Sequence, residues 1–167
     1  MFLSGKNKEN CVVDKIAYDN FLFDFRSIVV EWFELEGIFP QGGLERLHFH
    51  KSYDLFQREN DQSTIWHKCF YDKIRTDNRF EHEYMSFLSQ HIKPRFNEKI
   101  VYQKIPTFRV HLPNNVSVGE FHKDKHYRDK NWAEKVQELN YFVPLTKAYG
   151  TNTIWAETEE DKGDFQE

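Results

Sequence analysis

Apolar side chains in the first half of the chain recur at helical spacing. The first set is separated by intervals of three and four residues and consists of Phe21, Phe25, Ile28, Trp32 and Leu35. This spacing predicts an amphipathic helix that buries these side chains on one face. Asp14 is the predicted N-cap of this helix, and Gly37 is the predicted residue after its C-cap.

Two further helices are predicted before residue 98. The second has Ser63 as its predicted N-cap, and its inward positions are Ile65, Cys69 or Phe70, and Ile74. The third has Asp77 as its predicted N-cap, and its inward positions are Phe80, Tyr84, Phe87 and Leu88. Pro94 is expected to end it, because proline cannot continue the hydrogen-bond pattern of a helix.

The pattern changes near residue 99 to short runs of β-branched and aromatic residues. In the run 99–112, Phe108, Val110 and Leu112 are predicted to share one face, and Thr107, Arg109 and His111 the other. Further strand-like runs follow at 116–124, 139–146 and 153–157, with turn residues between them. The sequence therefore predicts an α+β protein, with a helical region at 1–98 and a β-sandwich or barrel at 99–167.

Composition restricts the possible partners. Aromatic residues make up 17% of the chain, which excludes global disorder. The net charge of −4 offers no broad basic field, so nucleic acid is not an expected partner. No run approaches the length of a membrane helix and the start has no signal-peptide core, so no membrane partner is expected. Cys11 and Cys69 fit no disulfide scaffold or metal-binding spacing, which favours reduced, structural thiols in the cytoplasm.

Histidines offer several candidate metal sites. His48 and His50 form an HxH pair that could bind a metal if the segment were extended. His67, His82 and His91 stand alone on predicted helices and are interpreted as surface or packing residues. His111 could line a pocket beside Arg109 or be an ordinary strand residue.

The segment 119–127 combines imidazole and carboxylate groups at alternating positions. If the backbone is extended, His122, Asp124 and His126 all point to one side. Two histidines and one carboxylate are the ligand set of non-haem Fe(II) oxygenases. Spacing alone also allows an accidental polar strand, or a zinc site in a hydrolase that uses all three side chains.

Four ordered blocks of the sequence carry a family resemblance, and they read YQKIPTFRVHLP, GEFHKDKHY, ELNYFVPLT and TNTIWAET. Together they resemble the streptomycin-biosynthesis-type family of 2-oxoglutarate/Fe(II)-dependent oxygenases, within the wider phytanoyl-CoA-dioxygenase-like group. The resemblance covers about residues 99–165 well and the helical half loosely. It implies a partial double-stranded β-helix, a jelly-roll or cupin-like barrel, at 99–167.

The resemblance also assigns roles to individual residues. His122 and Asp124 match the proximal iron ligands of the family, whereas His126 is a neighbour rather than a ligand. Asn140 lies on the strand that follows and could donate a hydrogen bond to the oxo-acid or the substrate, or be purely structural. Arg109 could pair with a substrate anion or with a barrel carboxylate. The implied cofactors are Fe(II) and 2-oxoglutarate.

The chain departs from the family pattern in its last third. The family takes a second iron-binding histidine and a 2-oxoglutarate-binding Arg or Lys from late strands, but the only histidine after Asp124 is His126, and no arginine follows Arg128. We therefore expect the chain to stop about halfway round the barrel. Half a barrel exposes strand edges, so weak stability or self-association as a homodimer is expected.

The function expected from the resemblance is a dioxygenase, or hydroxylase, acting on a small polar, sugar-like metabolite. This chain would be incomplete and inactive alone. The alternatives are a cupin-like metal-binding or small-molecule-binding module, or an isomerase, without oxygenase activity. A zinc hydrolase and a metal-free structural protein also remain open.

Overall fold

The computed structural model describes residues 2–7, 10–51, 63–113, 138–159 and 162–166. The chain forms two compact units. The helical unit comprises Tyr18–Val118, and the sheet unit comprises Met1–Ala17 together with Gly119–Glu167. The predicted boundary between residues 98 and 99 stays a prediction.

The described part of the helical unit contains three α-helices. They are α1 (Phe25–Leu35), α2 (Ile65–Lys73) and α3 (Asn78–Phe87). A 3₁₀ turn at Leu44–Phe49 precedes α2. A π-helical turn at Leu88–Ile92 and a 3₁₀ turn at Lys93–Arg95 follow α3, and the helical path ends after Pro94, near where the sequence predicted it.

Side-chain caps fix where the helices begin. Asp77 caps α3 by accepting the Arg79 backbone N–H at 3.0 Å, as predicted. The prediction of Asp14 as the cap of α1 is wrong, because Asp24 accepts the Ser27 N–H at 3.0 Å and Asp14 lies in a strand. The cap of α2 is Thr64, one residue after the predicted Ser63.

The C-terminal end of α1 agrees with the sequence prediction. Gly37 follows the C-cap and has φ of 66°, a left-handed conformation that glycine adopts without steric cost. The helix therefore ends where the sequence pattern placed its end.

Aromatic rings fill the core of the helical unit. Trp32, Phe70 and Phe80 lie 5.3–5.9 Å apart between ring centroids, mostly edge to face. The core is formed by residues with almost no exposed surface, and the largest of these are Trp32, Trp66, Phe33, Phe70 and Val29. Burial of large aromatic side chains supplies much of the driving force for packing α1, α2 and α3 together.

Two residues predicted to face this core do not. Phe21 is 99% exposed and Leu35 is 69% exposed. Phe21 precedes α1 and lies in a turn where the Asp19 carboxylate accepts the Phe21 and Leu22 backbone N–H groups at 2.8 and 3.1 Å. This local turn removes Phe21 from the helical stripe that the spacing suggested.

The sheet unit contains a three-stranded antiparallel sheet. Its strands are β1 (Phe2–Asn7), β2 (Asn10–Lys15) and β3 (Asn140–Tyr141), in the order β2-β1-β3. The register pairs Phe2 with Lys15 and Ser4 with Asn140. The segments 2–7 and 10–15, which the sequence pattern assigned to the helical region, thus pair as the two strands of a β-hairpin.

Only part of the predicted β region can be compared with the structure. The run 116–124 lies outside the described residues, 139–146 contributes β3, and 153–157 contributes a bridge between Ala156 and Gln166. The double-stranded β-helix therefore stays a prediction. Within the described ranges, no helix is both long and apolar enough to cross a membrane.

Candidate functional site

The predicted iron ligands His122 and Asp124, and the neighbouring His126, lie in the segment 114–137, outside the described residues. Their donor set is suitable for Fe(II), because one imidazole and one carboxylate are two of the three ligands that such sites use. In the ranges that the structure describes, no group of three His, Cys, Asp or Glu side chains could hold a metal ion. The assignment of His122 and Asp124 therefore rests on the sequence.

Arg109 lies on the exposed side of a strip that packs against α2. Along residues 107–112, Val110 and Leu112 are buried and Arg109 is exposed, which confirms the predicted alternation of faces. Phe108 attaches this strip to α2, because its backbone N–H donates to the hydroxyl of Tyr71 at 3.0 Å. Its ring also stacks on Phe70, with centroids 4.3 Å apart. The backbone that carries the Arg109 guanidinium is thus fixed from the side opposite to solvent.

His67 is buried near Arg109. It is 2% exposed, and its Nδ1 lies 2.7 Å from the Thr64 hydroxyl. Its ring meets the Phe108 ring at 5.8 Å, while its Nε2 has no hydrogen-bond partner in the described part of the chain. Burial, and secondly the positive charge of Arg109, lower the pKa of His67 to about 4. The imidazole is therefore neutral at pH 7.

The sequence correctly interpreted His67 as a packing residue but missed its coupling to Arg109. The sequence signal was local and bears only on the contact with Thr64, which caps α2 one turn before His67. His82, by contrast, is exposed on α3, and His91 packs against Phe87 with ring centroids 5.2 Å apart. His111 is exposed on the same side of its strip as Arg109, as expected.

Asn140 occupies the exposed first position of β3, opposite Ser4 of β1. It belongs to the sheet unit, whereas Arg109 belongs to the helical unit. Each residue is exposed. Their predicted roles toward an oxo-acid remain predictions.

The HxH pair does not lie on an extended segment. His48 lies within the 3₁₀ turn Leu44–Phe49, with its ring 4.2 Å from that of Phe49, and His50 follows the turn. The His50 ring lies 6.1 Å from that of Trp66. The extended segment that a metal-binding pair would need is therefore not formed here, because the chain turns at Gly42 and Gly43 and enters a helical turn.

Cys69 is a structural thiol, as the sequence indicated. Its Sγ lies 3.8 Å from the Trp32 carbonyl oxygen, to which the thiol donates. Burial raises the pKa of Cys69 to about 11, and the nearby Glu36 carboxylate acts in the same direction. A thiol that stays protonated at pH 7 is not a nucleophile.

The chain is similar to the streptomycin biosynthesis protein StrG of Streptomyces griseus. The two are 38% identical over 110 residues, which make up 66% of this chain and 51% of that protein. The chain thus spans about half the length of this curated relative. No protein-family model matches the chain, and no solved structure matches it. The similarity supports a relationship to a biosynthesis protein.

Proposed function

We propose that this chain carries iron-binding residues of an Fe(II)/2-oxoglutarate-dependent dioxygenase that hydroxylates a small polar, sugar-like metabolite in a biosynthetic pathway. The observation that carries the proposal is the pair His122 and Asp124, set within the second of four ordered sequence blocks that resemble this family of oxygenases. The similarity to a streptomycin biosynthesis protein supports the biosynthetic setting.

The proposal assigns roles to four residues, two of which bind the metal. The His122 imidazole and the Asp124 carboxylate hold Fe(II). When bound, Fe(II) together with 2-oxoglutarate and O₂ supplies the oxidising power for hydroxylation, and 2-oxoglutarate is converted to succinate and CO₂.

The remaining two residues act on the organic groups. Arg109 presents a planar guanidinium on an exposed face, which suits the carboxylate of an oxo-acid. The Asn140 amide donates a hydrogen bond to the oxo-acid or to the substrate.

Metal and oxo-acid binding test the proposal directly. In anaerobic equilibrium dialysis with Fe(II), we expect His122→Ala and Asp124→Ala each to weaken metal binding by about tenfold or more. His82→Ala is the matched control, because His82 is an exposed histidine on α3, and it should bind as the wild type does. Arg109→Ala should weaken 2-oxoglutarate binding while leaving Fe(II) binding unchanged.

Turnover separates the dioxygenase from the cupin-like alternative. Because this chain is expected to be inactive alone, turnover is measured on a protein that carries the complete barrel. After O₂ is admitted, succinate formation that depends on Fe(II) and is lost in Asp124→Ala supports the proposal. Metal binding by the complete barrel without any conversion of 2-oxoglutarate favours a binding module or isomerase. Equal Fe(II) binding by the wild type and the two ligand variants contradicts the assignment of His122 and Asp124.

A further inference from the structure

An open depression lies on the helical unit between Pro40 and Lys51, and we call it the basic depression. Its volume is about 610 Å³, within the range of sites that accept small metabolites. Its polar lining consists of Gln41, Arg46, His50 and Lys51, and Phe49 contributes a ring. None of these residues belongs to the proposed iron or oxo-acid site.

Arg46 is held in place from two sides. Its aliphatic stem lies against Gly42, so closely that a Cβ atom at Gly42 would clash with Arg46 Cδ. Its guanidinium carbon lies 5.4 Å from the centre of the Phe49 ring, a cation–π contact. Phe49 itself is 63% exposed. These contacts orient the guanidinium before any ligand arrives, which reduces the entropy lost on binding.

The positive charge of Arg46 is not neutralised by the residue beside it. The Glu45 carboxylate accepts from Arg26 Nη2 at 2.9 Å and is thereby engaged elsewhere. Among the residues that the structure describes, neither Arg46 nor Lys51 forms an ion pair. The lining of the depression, as far as the structure describes it, is therefore basic in a chain whose net charge is −4.

We propose that the basic depression binds a phosphate monoester of a small metabolite. The planar fork of Arg46 matches two phosphate oxygens, and Lys51 supplies a second positive charge for the dianion. Gln41 lines the same space and offers a further hydrogen-bonding group, while the part of the Phe49 ring that stays exposed beside Arg46 offers apolar surface to the rest of the ligand. A carboxylate carries only one negative charge and matches this set less well.

Titration calorimetry on the full chain tests this site with glucose 6-phosphate, glucose and 2-oxoglutarate as probes, without added metal. We expect glucose 6-phosphate to bind at least tenfold more tightly than either of the others. Arg46→Ala should weaken that binding at least tenfold, and Arg46→Lys should fall between, because lysine keeps the charge but not the fork. Arg75→Ala is the control, since Arg75 is an exposed arginine of the same unit, paired with Asp72 at 3.6 Å.

A pair of glycine variants isolates the geometry from the charge. Gly42→Ala keeps every charge but displaces the Arg46 stem, so we expect at least a fivefold loss of glucose 6-phosphate affinity. Gly37→Ala is the matched control, because Gly37 also has positive φ but nothing lies within 4 Å of an added Cβ. Circular dichroism melts verify that both variants fold.

Three results would overturn the proposal: equal binding of glucose and its phosphate, unchanged binding in Arg46→Ala, or equal losses in the two glycine variants. Tight binding of 2-oxoglutarate at Arg46 would likewise overturn the proposal, because the depression would then be a general oxyanion site rather than a phosphate-ester site. None of these outcomes depends on Fe(II), so failure here is distinct from failure of the dioxygenase proposal.

Discussion

At the scale of single residues, His67 shows how burial sets the charge of an ionisable group. Its Nδ1 lies 2.7 Å from the Thr64 hydroxyl, and the Arg109 guanidinium further opposes a second positive charge. An ionised imidazole at this position would lose its hydration without gaining a partner. The native state therefore keeps His67 neutral over a range of pH in which the unfolded chain would protonate it.

This difference predicts a pH-dependent stability. The pKa of His67 is about 4 in the folded protein, below its unfolded value of about 6.5. Because the folded pKa is lowered, the stability that neutral His67 contributes is fully present above pH 6.5 and is lost as the pH falls towards 4. In that window the unfolded state binds about one more proton, so His67 alone adds a slope of up to about 1.4 kcal/mol per pH unit.

Urea unfolding at several pH values between 4 and 7 measures this slope. His67→Gln cannot take up the proton, so its free energy of unfolding should fall less steeply with pH than that of the wild type. His82→Gln removes an exposed histidine from α3 and serves as the matched control, with a slope near that of the wild type. Identical slopes for the wild type and His67→Gln would rule out His67 as the titrating group.

At the scale of elements, Asp77 joins two helices. Its carboxylate caps α3 through the Arg79 N–H and also accepts the indole N–H of buried Trp32 of α1 at 2.8 Å. Arg79 in turn bridges Asp77 and Glu31 at 2.6 and 2.7 Å. These contacts hold the pKa of the Asp77 carboxyl well below its usual range, the Arg79 hydrogen bond being the largest cause.

Removing this carboxylate should be costly. Asp77→Ala leaves the Trp32 N–H without its acceptor and removes the cap of α3, for an expected loss of about 2–4 kcal/mol in the free energy of unfolding. Asp77→Asn keeps one acceptor oxygen and should lose roughly half as much. Chemical denaturation measures both variants, and Asp72→Ala, which removes an exposed carboxylate of α2, is the control. A loss in Asp77→Ala no larger than that control would show that the link between α1 and α3 is unimportant.

The helices were predictable because their signals are local. Spacing and caps identified the buried positions Trp32, Phe70 and Phe87, the cap at Asp77 and the C-terminal glycine. The alternation of Val110 and Leu112 with exposed residues was equally readable, although the strip packs on α2 without forming a ladder within the described residues.

The sequence pattern did not predict the β-hairpin, because strand pairing depends on contacts between two segments and not on the pattern within one of them. Asp14 precedes an apolar stripe and reads as a helix cap, yet it pairs with Leu3 across β1 and β2. Similarly, the sequence of residues 40–51 does not indicate that the Arg46 side chain packs against Gly42, because that contact depends on the positive φ of 97° at Gly42. The basic depression could be found only from the structure.

At the scale of the whole molecule, the helical unit has a buried core of its own. Among the side chains that the structure describes, in residues 15–51, 63–113, 138–159 and 162–166, the buried apolar ones lie between Phe23 and Leu112, within the helical unit. A unit with its own core is expected to fold alone. We therefore predict that residues 18–118, expressed without the rest of the chain, fold into the same helical structure.

Far-UV circular dichroism and a thermal melt of this fragment measure the outcome. We expect a helical spectrum and a cooperative transition within about 8 °C of the full chain, which corresponds to roughly 1–2 kcal/mol for a domain of this size. Val29→Asp in the same fragment is the control, because a carboxylate at this fully buried position of α1 should abolish the transition. A fragment that lacks helical signal would mean that the aromatic core needs residues 1–17 or 119–167 to form. A folded fragment would contain Gln41, Arg46 and Lys51 and should therefore retain phosphate-ester binding.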